Sequence, residues 1–148
     1  MSTSEESRPQ RPADPGRASV GGARAEAAAL ARSLSRVAWK GTLGTIARDG
    51  GHPYGSLVAV ACEPGGAPVL LLSGLAEHTK NLAADQRASL LIDGTEPGPA
   101  ALSGARLTLV GRMEETTSRV ARRRYLERHP DAAAFIEDRK STRLNSSH

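Results

Sequence analysis

From Arg24 to Lys40 the apolar residues Ala27, Leu30, Ala31, Leu34, Val37 and Ala38 recur three and four apart. That spacing predicts one face of an amphipathic helix, which Gly41 can end. The period then changes to two. Thr42 to Ala47 predicts a short strand, and Asp49-Gly50-Gly51 a turn of residues that tolerate positive φ. Pro53 to Cys62 alternates Tyr54, Ser56, Val58 and Val60 against Gly55, Leu57, Ala59 and Ala61, which completes a β-hairpin. Glu63-Pro64-Gly65-Gly66 is a second turn, and the nearly continuous apolar run Val69 to Ser73 predicts a strand buried on both faces. Three antiparallel strands in succession make a meander. Beyond Gly74, Glu77 to Ala84 predicts a short helix, and Ala88 to Ile92 and Ala105 to Met113 predict two more strands. Thr116 to His129 returns to helical spacing through Val120, Ala121, Tyr125 and Leu126, and Pro130 starts one more helical turn through Ile136. Five strands with few helices imply a small α+β barrel, and no internal repeat is found.

The two ends do not share these patterns. Residues 1–22 are rich in Ser, Pro, Arg, Gly and Glu, with too little apolar surface to offset the entropy of ordering, and are expected to form a disordered arm. Residues 24–138 are then one domain. Residues 139–148 continue no pattern and read as a non-native tail on a domain truncated at its C-terminus. Asn145-Ser146-Ser147 matches a glycosylation acceptor, but the match is empty without a secretory segment.

Composition narrows the function classes. The 148 residues suffice for one domain. There is neither an apolar run of the roughly 18 residues a membrane span needs nor a secretion signal, so the expectation is a soluble, cytoplasmic protein with no membrane partner. The single cysteine, Cys62, can form neither an internal disulfide nor a cysteine-rich zinc site. The net charge of +4 raises a nucleic-acid reading, but Arg139, Lys140 and Arg143 supply three of those charges. The arginines otherwise cluster on one predicted helix (Arg119, Arg122, Arg123, Arg124, Arg128), where Glu115 and Glu127 fall within helical reach. A solvated helix face explains them better than a nucleic-acid surface. Trp39 and Tyr125 are expected to pack in the core of a chain with few aromatics.

Most catalytic templates are absent. Gly41-Thr42-Leu43-Gly44 is followed by no Gly-Lys-Ser/Thr, no serine sits in a Gly-x-Ser-x-Gly elbow, and His52, His78 and His129 lack the spacing of a helical metal pair. The glycines read instead as small residues beside a packed neighbour. One constellation remains, Leu70 to Leu82, where a buried strand ends in Ser73 and a helix begins about four residues later. A helix start there aims unpaired N–H groups, with His78, Thr79 and Lys80, at one point, which suits a phosphate or carboxylate. The same residues also suit a solvated first turn in which Thr79 or Ser73 acts only as a cap.

Several stretches together resemble a known family. They are Gly41-Thr-Leu-Gly-Thr-Ile46, Pro53-Tyr-Gly-Ser-Leu-Val58, Leu71-Leu-Ser73, Ala76-Glu-His-Thr-Lys-Asn-Leu82, Ala84-Asp-Gln-Arg-Ala-Ser-Leu-Leu91, Ala105-Arg-Leu-Thr-Leu-Val-Gly111 and Tyr125-Leu-Glu-Arg-His-Pro130. The chain is similar to the pyridoxamine 5′-phosphate oxidase-like family, and more narrowly to its HugZ-type haem-utilisation branch, from about Ala25 to Ile136. The resemblance implies an antiparallel, Greek-key-like split β-barrel with flanking helices, a homodimer with cofactor sites at the subunit interface, and FMN as cofactor. It carries the phosphate-holding turn onto Ser73, His78, Thr79 and Lys80, a flavin-contacting strand position onto Ser56, and the ring-facing position onto Arg106. The function implied is a flavin-dependent oxidoreductase. The alternatives are a haem-binding, haem-degrading protein and a non-catalytic ligand-binding dimer. Two departures bear on the choice. The position of Ser56 is normally an arginine that grips phosphate bidentately, and serine cannot replace that charge. The iron-ligating histidine of the haem branch lies in a C-terminal region this sequence lacks, leaving His52 or His78 as substitutes.

Overall fold

A computed structural model describes the backbone of residues 15–145 and the side chains of residues 20–136, 142, 144 and 145. The chain divides into two units, residues 1–30 and 31–148. Residues 1–14 of the expected disordered arm lie outside the described residues. From Pro15 the chain is already helical, in α1 (Pro15–Val37), nine residues before the apolar periodicity begins. Proline suits a first helical turn, and the alanine-rich stretch that follows outweighs the roughly 1 kcal/mol each that Gly21 and Gly22 cost.

In the second unit the last turns of α1 bury Ser35, with Leu34 packed on the core and Val37 exposed, and Ala38, just past the helix, is buried as well. The strands are β1 (Lys40–Ile46), β2 (Pro53–Ala59), β3 (Ala61–Cys62), β4 (Pro68–Ser73), β5 (Arg87–Gly94), β6 (Ala105–Glu115) and β7 (Arg139–Asn145). Helix α2 (Glu77–Ala84) separates β4 from β5, and α3 (Arg119–Arg128) with a 3-10 helix (Pro130–Asp138) separates β6 from β7. The sheet is antiparallel, in the order β2-β1-β5-β6-β7-β4-β3. Its two ends are halves of one strand, because β2 and β3 are joined through the single residue Val60. The sheet therefore closes on itself, which is the split barrel that the resemblance implies.

This closure changes the simple meander. The expected second strand bends at Val60, so that β2 pairs with β1 while β3 pairs with β4. Val60 is fully buried, and its N–H donates to the Trp39 carbonyl at 3.0 Å. The turn between β1 and β2 uses Gly50 and Gly51 at φ of 81° and 70°, as the Asp-Gly-Gly signal predicts. Gly41 and Gly44 are close-approach positions: a Cβ would stand 2.8 Å from the Leu91 carbonyl oxygen at Gly41 and 2.5 Å from the Ser89 hydroxyl at Gly44.

Two cores result, one on each side of β4. Leu43, Val58, Leu70, Leu72, Leu90, Ile92, Met113 and Leu144 fill the barrel. Val69 and Leu71 face the other way, against Ala121, Tyr125 and Ile136. The continuous apolar run of β4 is thus buried on both faces. The segment expected to lie outside the domain forms β7, paired from Val69↔Arg143 to Ser73↔Arg139 on one side and from Arg112↔Asn145 to Glu115↔Thr142 on the other. Backbone hydrogen bonding places it without demanding a distinctive sequence, and Thr142 and Leu144 turn inward.

Tyr125 is buried as expected, whereas Trp39 is 61% exposed and is no part of the core. Glu115 lies at the end of β6 rather than in α3. The helix begins after Ser118, whose hydroxyl accepts from the Ala121 N–H at 3.2 Å, and Glu127 pairs with Arg123 and Arg124 at 3.8 and 3.7 Å. No helix among the described residues is long and apolar enough to cross a membrane.

Candidate functional site

The β4–α2 turn gathers four of the six residues singled out from the sequence. Ser73 ends β4, and its carbonyl accepts from the Thr79 hydroxyl at 2.6 Å and from the Ala76 N–H at 3.1 Å. The Ser73 hydroxyl accepts from the Leu75 N–H at 3.3 Å. Neither Ser73 nor Thr79 caps α2, because the N-cap residue is Ala76 and no side chain accepts there. The first turn is open to an acceptor, as an anion site requires, but a carboxylate already stands beside it. Glu77 meets Arg48 Nε at 3.1 Å and Lys80 Nζ at 3.7 Å. An incoming anion must compete with Glu77 for both cations.

His78 is half-buried, and that burial pushes its imidazole below the ordinary value, so it stands neutral at pH 7 and adds no charge to the turn. A depressed folded value means that the unfolded chain takes up the proton first as pH falls below about 6.5. Stability contributed by neutral His78 is present above that pH and is lost on acidification. The melting temperature of the wild-type chain should accordingly fall more steeply between pH 7 and pH 5 than that of His78→Gln. Parallel curves would remove His78 from the account.

The other two residues lie elsewhere. Ser56, in register with Leu43, faces the barrel interior, where its hydroxyl is buried and has no hydrogen-bond partner. Arg106 is in register with Asp93 on the outer face of the sheet, and its guanidinium donates to the Leu102 carbonyl. Helix α2 touches the sheet at Thr45, in register with Ala88 and so with Gly111. Arg106 is five positions along β6 from there, or roughly 17 Å at the rise of a strand. One copy of the chain does not bring Arg106 to the β4–α2 turn.

The register reveals a second surface that sequence reasoning passed over. Leu57, Thr42, Leu91 and Thr108 form one row across β2, β1, β5 and β6, and Gly55, Gly44, Ser89 and Val110 form the next. These rows face outward: Leu57 is 71% and Val110 67% exposed. The glycines keep the middle of the face low, and a groove of about 250 Å³ runs over Gly44, Ile46, Pro53, Arg87, Ser89 and Val110. Lys40, Asp93 and Arg106 lie toward one end, and Arg87 and Arg112 at the other. Of the latter pair, Arg87 binds Asp85 at 2.6 Å, which holds that carboxyl down to about 2, and Arg112 donates to Gln86 at 3.2 Å. The period-two pattern of β2 and β6 held this information, but it shows which residues share a face only once strand order is known.

A model of the CREG β-barrel family matches residues 23–146, which is most of the chain. The chain belongs to this family. It is 41% identical over 85 residues to the non-canonical heme oxygenase HOZ, chloroplastic, of Arabidopsis thaliana, a match that covers 55% of this chain and 26% of HOZ. Among solved structures it resembles a heme binding protein from Mycobacterium smegmatis, at TM-score 0.73 and 34% identity, over 79% of this chain and 50% of that one. A putative pyridoxamine 5′-phosphate oxidase from Listeria innocua shares the fold at TM-score 0.62 and 13% identity, over 84% and 94% of the two chains. The family member thus spans about a quarter of HOZ and half of the mycobacterial protein. Its split barrel is the expected one, and the HugZ-type haem branch agrees with these neighbours.

Proposed function

We propose that this chain is a haem-binding split-barrel protein that acts as a homodimer, with the outer face of β2, β1, β5 and β6 as its binding surface. The observation that carries the reading is the flat apolar strip of Leu57, Leu91 and Val110 with basic side chains toward both ends. Haem needs a flat apolar surface for its ring and cations for its propionates, and Arg106 and Lys40 suit the second role. A second copy over the same face would shield apolar side chains that one copy leaves in water. The two relatives with at least 30% identity reported above are a heme oxygenase and a heme binding protein by name, which supports the same choice.

The histidines fit this surface unequally. His129 is committed to the Val60 carbonyl and His78 belongs to α2, whereas His52 directly precedes Pro53 at the Arg87 and Arg112 end of the face. His52 is therefore the residue that would hold the iron in this reading. A bound haem would supply redox iron, while the chain's own residues hold the ring and keep water from it.

Titration with hemin tests the reading. The wild-type chain should develop a saturable Soret band, Val110→Asp should weaken binding at least about tenfold by placing a charge under the ring, and His52→Ala should shift the band. A chain that shows no band, or a Val110→Asp variant that binds as wild type, refutes the surface. Loss of the Soret band on adding ascorbate would add haem turnover to binding.

A flavin-dependent oxidoreductase is the second reading, favoured by one feature, the uncapped start of α2 beside Lys80. It would use Ser73, His78, Thr79 and Lys80 for the FMN phosphate. Against it, Ser56 faces the barrel interior and supplies no charge. Titration with FMN separates the two, since flavin bands rather than a Soret band would accompany the purified protein.

A further inference from the structure

A cavity of about 380 Å³ lies between the last turns of α1 and the β3–β4 turn, away from both surfaces described above. Ala31, Ala67, Pro68, Leu109 and Leu144 give it apolar walls, and Arg32 and Ser35 share the same lining. Ser35 is only 4% exposed, yet its hydroxyl is hydrogen-bonded by no described residue. The buried side-chain oxygen without a partner among the described residues is that of Ser56, so the Ser35 hydroxyl is one that the cavity reaches. Arg32 is exposed and has no ion-pair partner among the described residues. Its side chain runs past the turn, with Cγ 3.9 Å from the point where a Cβ on Gly66 would stand. Gly66 itself sits at a φ of 95°, which fixes the turn with a glycine there.

The geometry points to a binding site for a small monocarboxylate with an apolar body. The carboxylate meets the two features that have no use inside the chain, the Arg32 guanidinium as a bidentate donor and the Ser35 hydroxyl as a third. The apolar body occupies the space beside Leu109 and Leu144. A single guanidinium and one hydroxyl match the charge and lone pairs of a carboxylate, whereas a phosphate dianion would be left with unmet charge. The volume lies within the range of small-molecule sites.

Calorimetric titration of the full chain with sodium hexanoate tests the assignment, with 1-hexanol and hexyl phosphate as comparisons. Hexanoate should bind saturably at one per chain, and hexanol at least about tenfold more weakly. Arg32→Gln, a surface change that leaves the core intact, should weaken hexanoate at least about tenfold. Ser35→Ala should weaken it by a smaller factor while leaving the melting temperature unchanged, because the hydroxyl it removes bonds to no other part of the chain. A loss of affinity without a loss of stability is what a purely structural serine would not produce. Absence of saturable heat from hexanoate, tighter binding of hexyl phosphate, or wild-type affinity in Arg32→Gln would overturn the site.

Discussion

Replacing Asn81 by alanine is expected to cost about 2–4 kcal/mol of folding stability, measured by urea denaturation. Asn81 lies on α2 and is fully buried. Its amide nitrogen donates to the Thr45 hydroxyl at 3.2 Å, and its carbonyl oxygen accepts from the Arg48 N–H at 3.0 Å. The Thr45 hydroxyl in turn donates to the Tyr54 carbonyl at 3.4 Å, so one side chain ties α2 to the ends of both β1 and β2. Alanine breaks both bonds, leaves the Arg48 N–H without its acceptor, and opens space that surrounding atoms fill only in part. The same tie sets where Arg48 leaves β1 and so holds its side chain against Glu77. Asn81→Ala should therefore also loosen the open start of α2. A loss no larger than the roughly 0.5 kcal/mol typical of surface positions would show that the tie is dispensable.

His129→Ala should be nearly as damaging, by about 2–4 kcal/mol, for a different reason. Where β2 bends into β3, the Val60 carbonyl leaves the strand ladder and takes its bond from His129 Nε2 at 2.8 Å. A carbonyl only accepts, so that nitrogen carries the proton. The ring also sits edge-on to Trp39 at 5.7 Å and tilted against Tyr125 at 4.8 Å. Alanine would orphan the carbonyl next to a fully buried residue and remove both ring contacts. His129→Gln, which can still donate, should recover part of the loss. If both variants melt with the wild type, the bend holds by strand pairing alone.

These two residues show where the sequence is opaque. Helix α2 was legible to the residue, since it lies between a glycine turn and a strand with no competing signal. The double burial of β4 followed directly from its unbroken apolar run. Asn81 was hidden because a polar residue in a short helix reads as solvent-facing, and only the end of β1 beneath it turns it into a buried connector. The bend at Val60 was hidden because the alternation from Tyr54 to Ala61 runs straight through it, while pairing partners change. The start of α1 was missed because Gly21 and Gly22 mimic a linker. β7 was missed because its place is set by the backbones of β4 and β6 rather than by its own side chains. For the candidate site, spacing found the β4–α2 turn, but not the carboxylate of Glu77 standing in it. Nor could it tell that Arg106 belongs to another surface, because faces of a sheet follow from strand order.

Trp39 is the protein's only tryptophan, and it stands beside the point where the barrel closes, with the Arg128 guanidinium 4.9 Å from its ring. Its emission therefore reports on that seam without an attached dye. Opening of the bend would separate indole from imidazole and guanidinium together, so intrinsic fluorescence can follow seam opening in real time, independently of the far-UV signal of the helices.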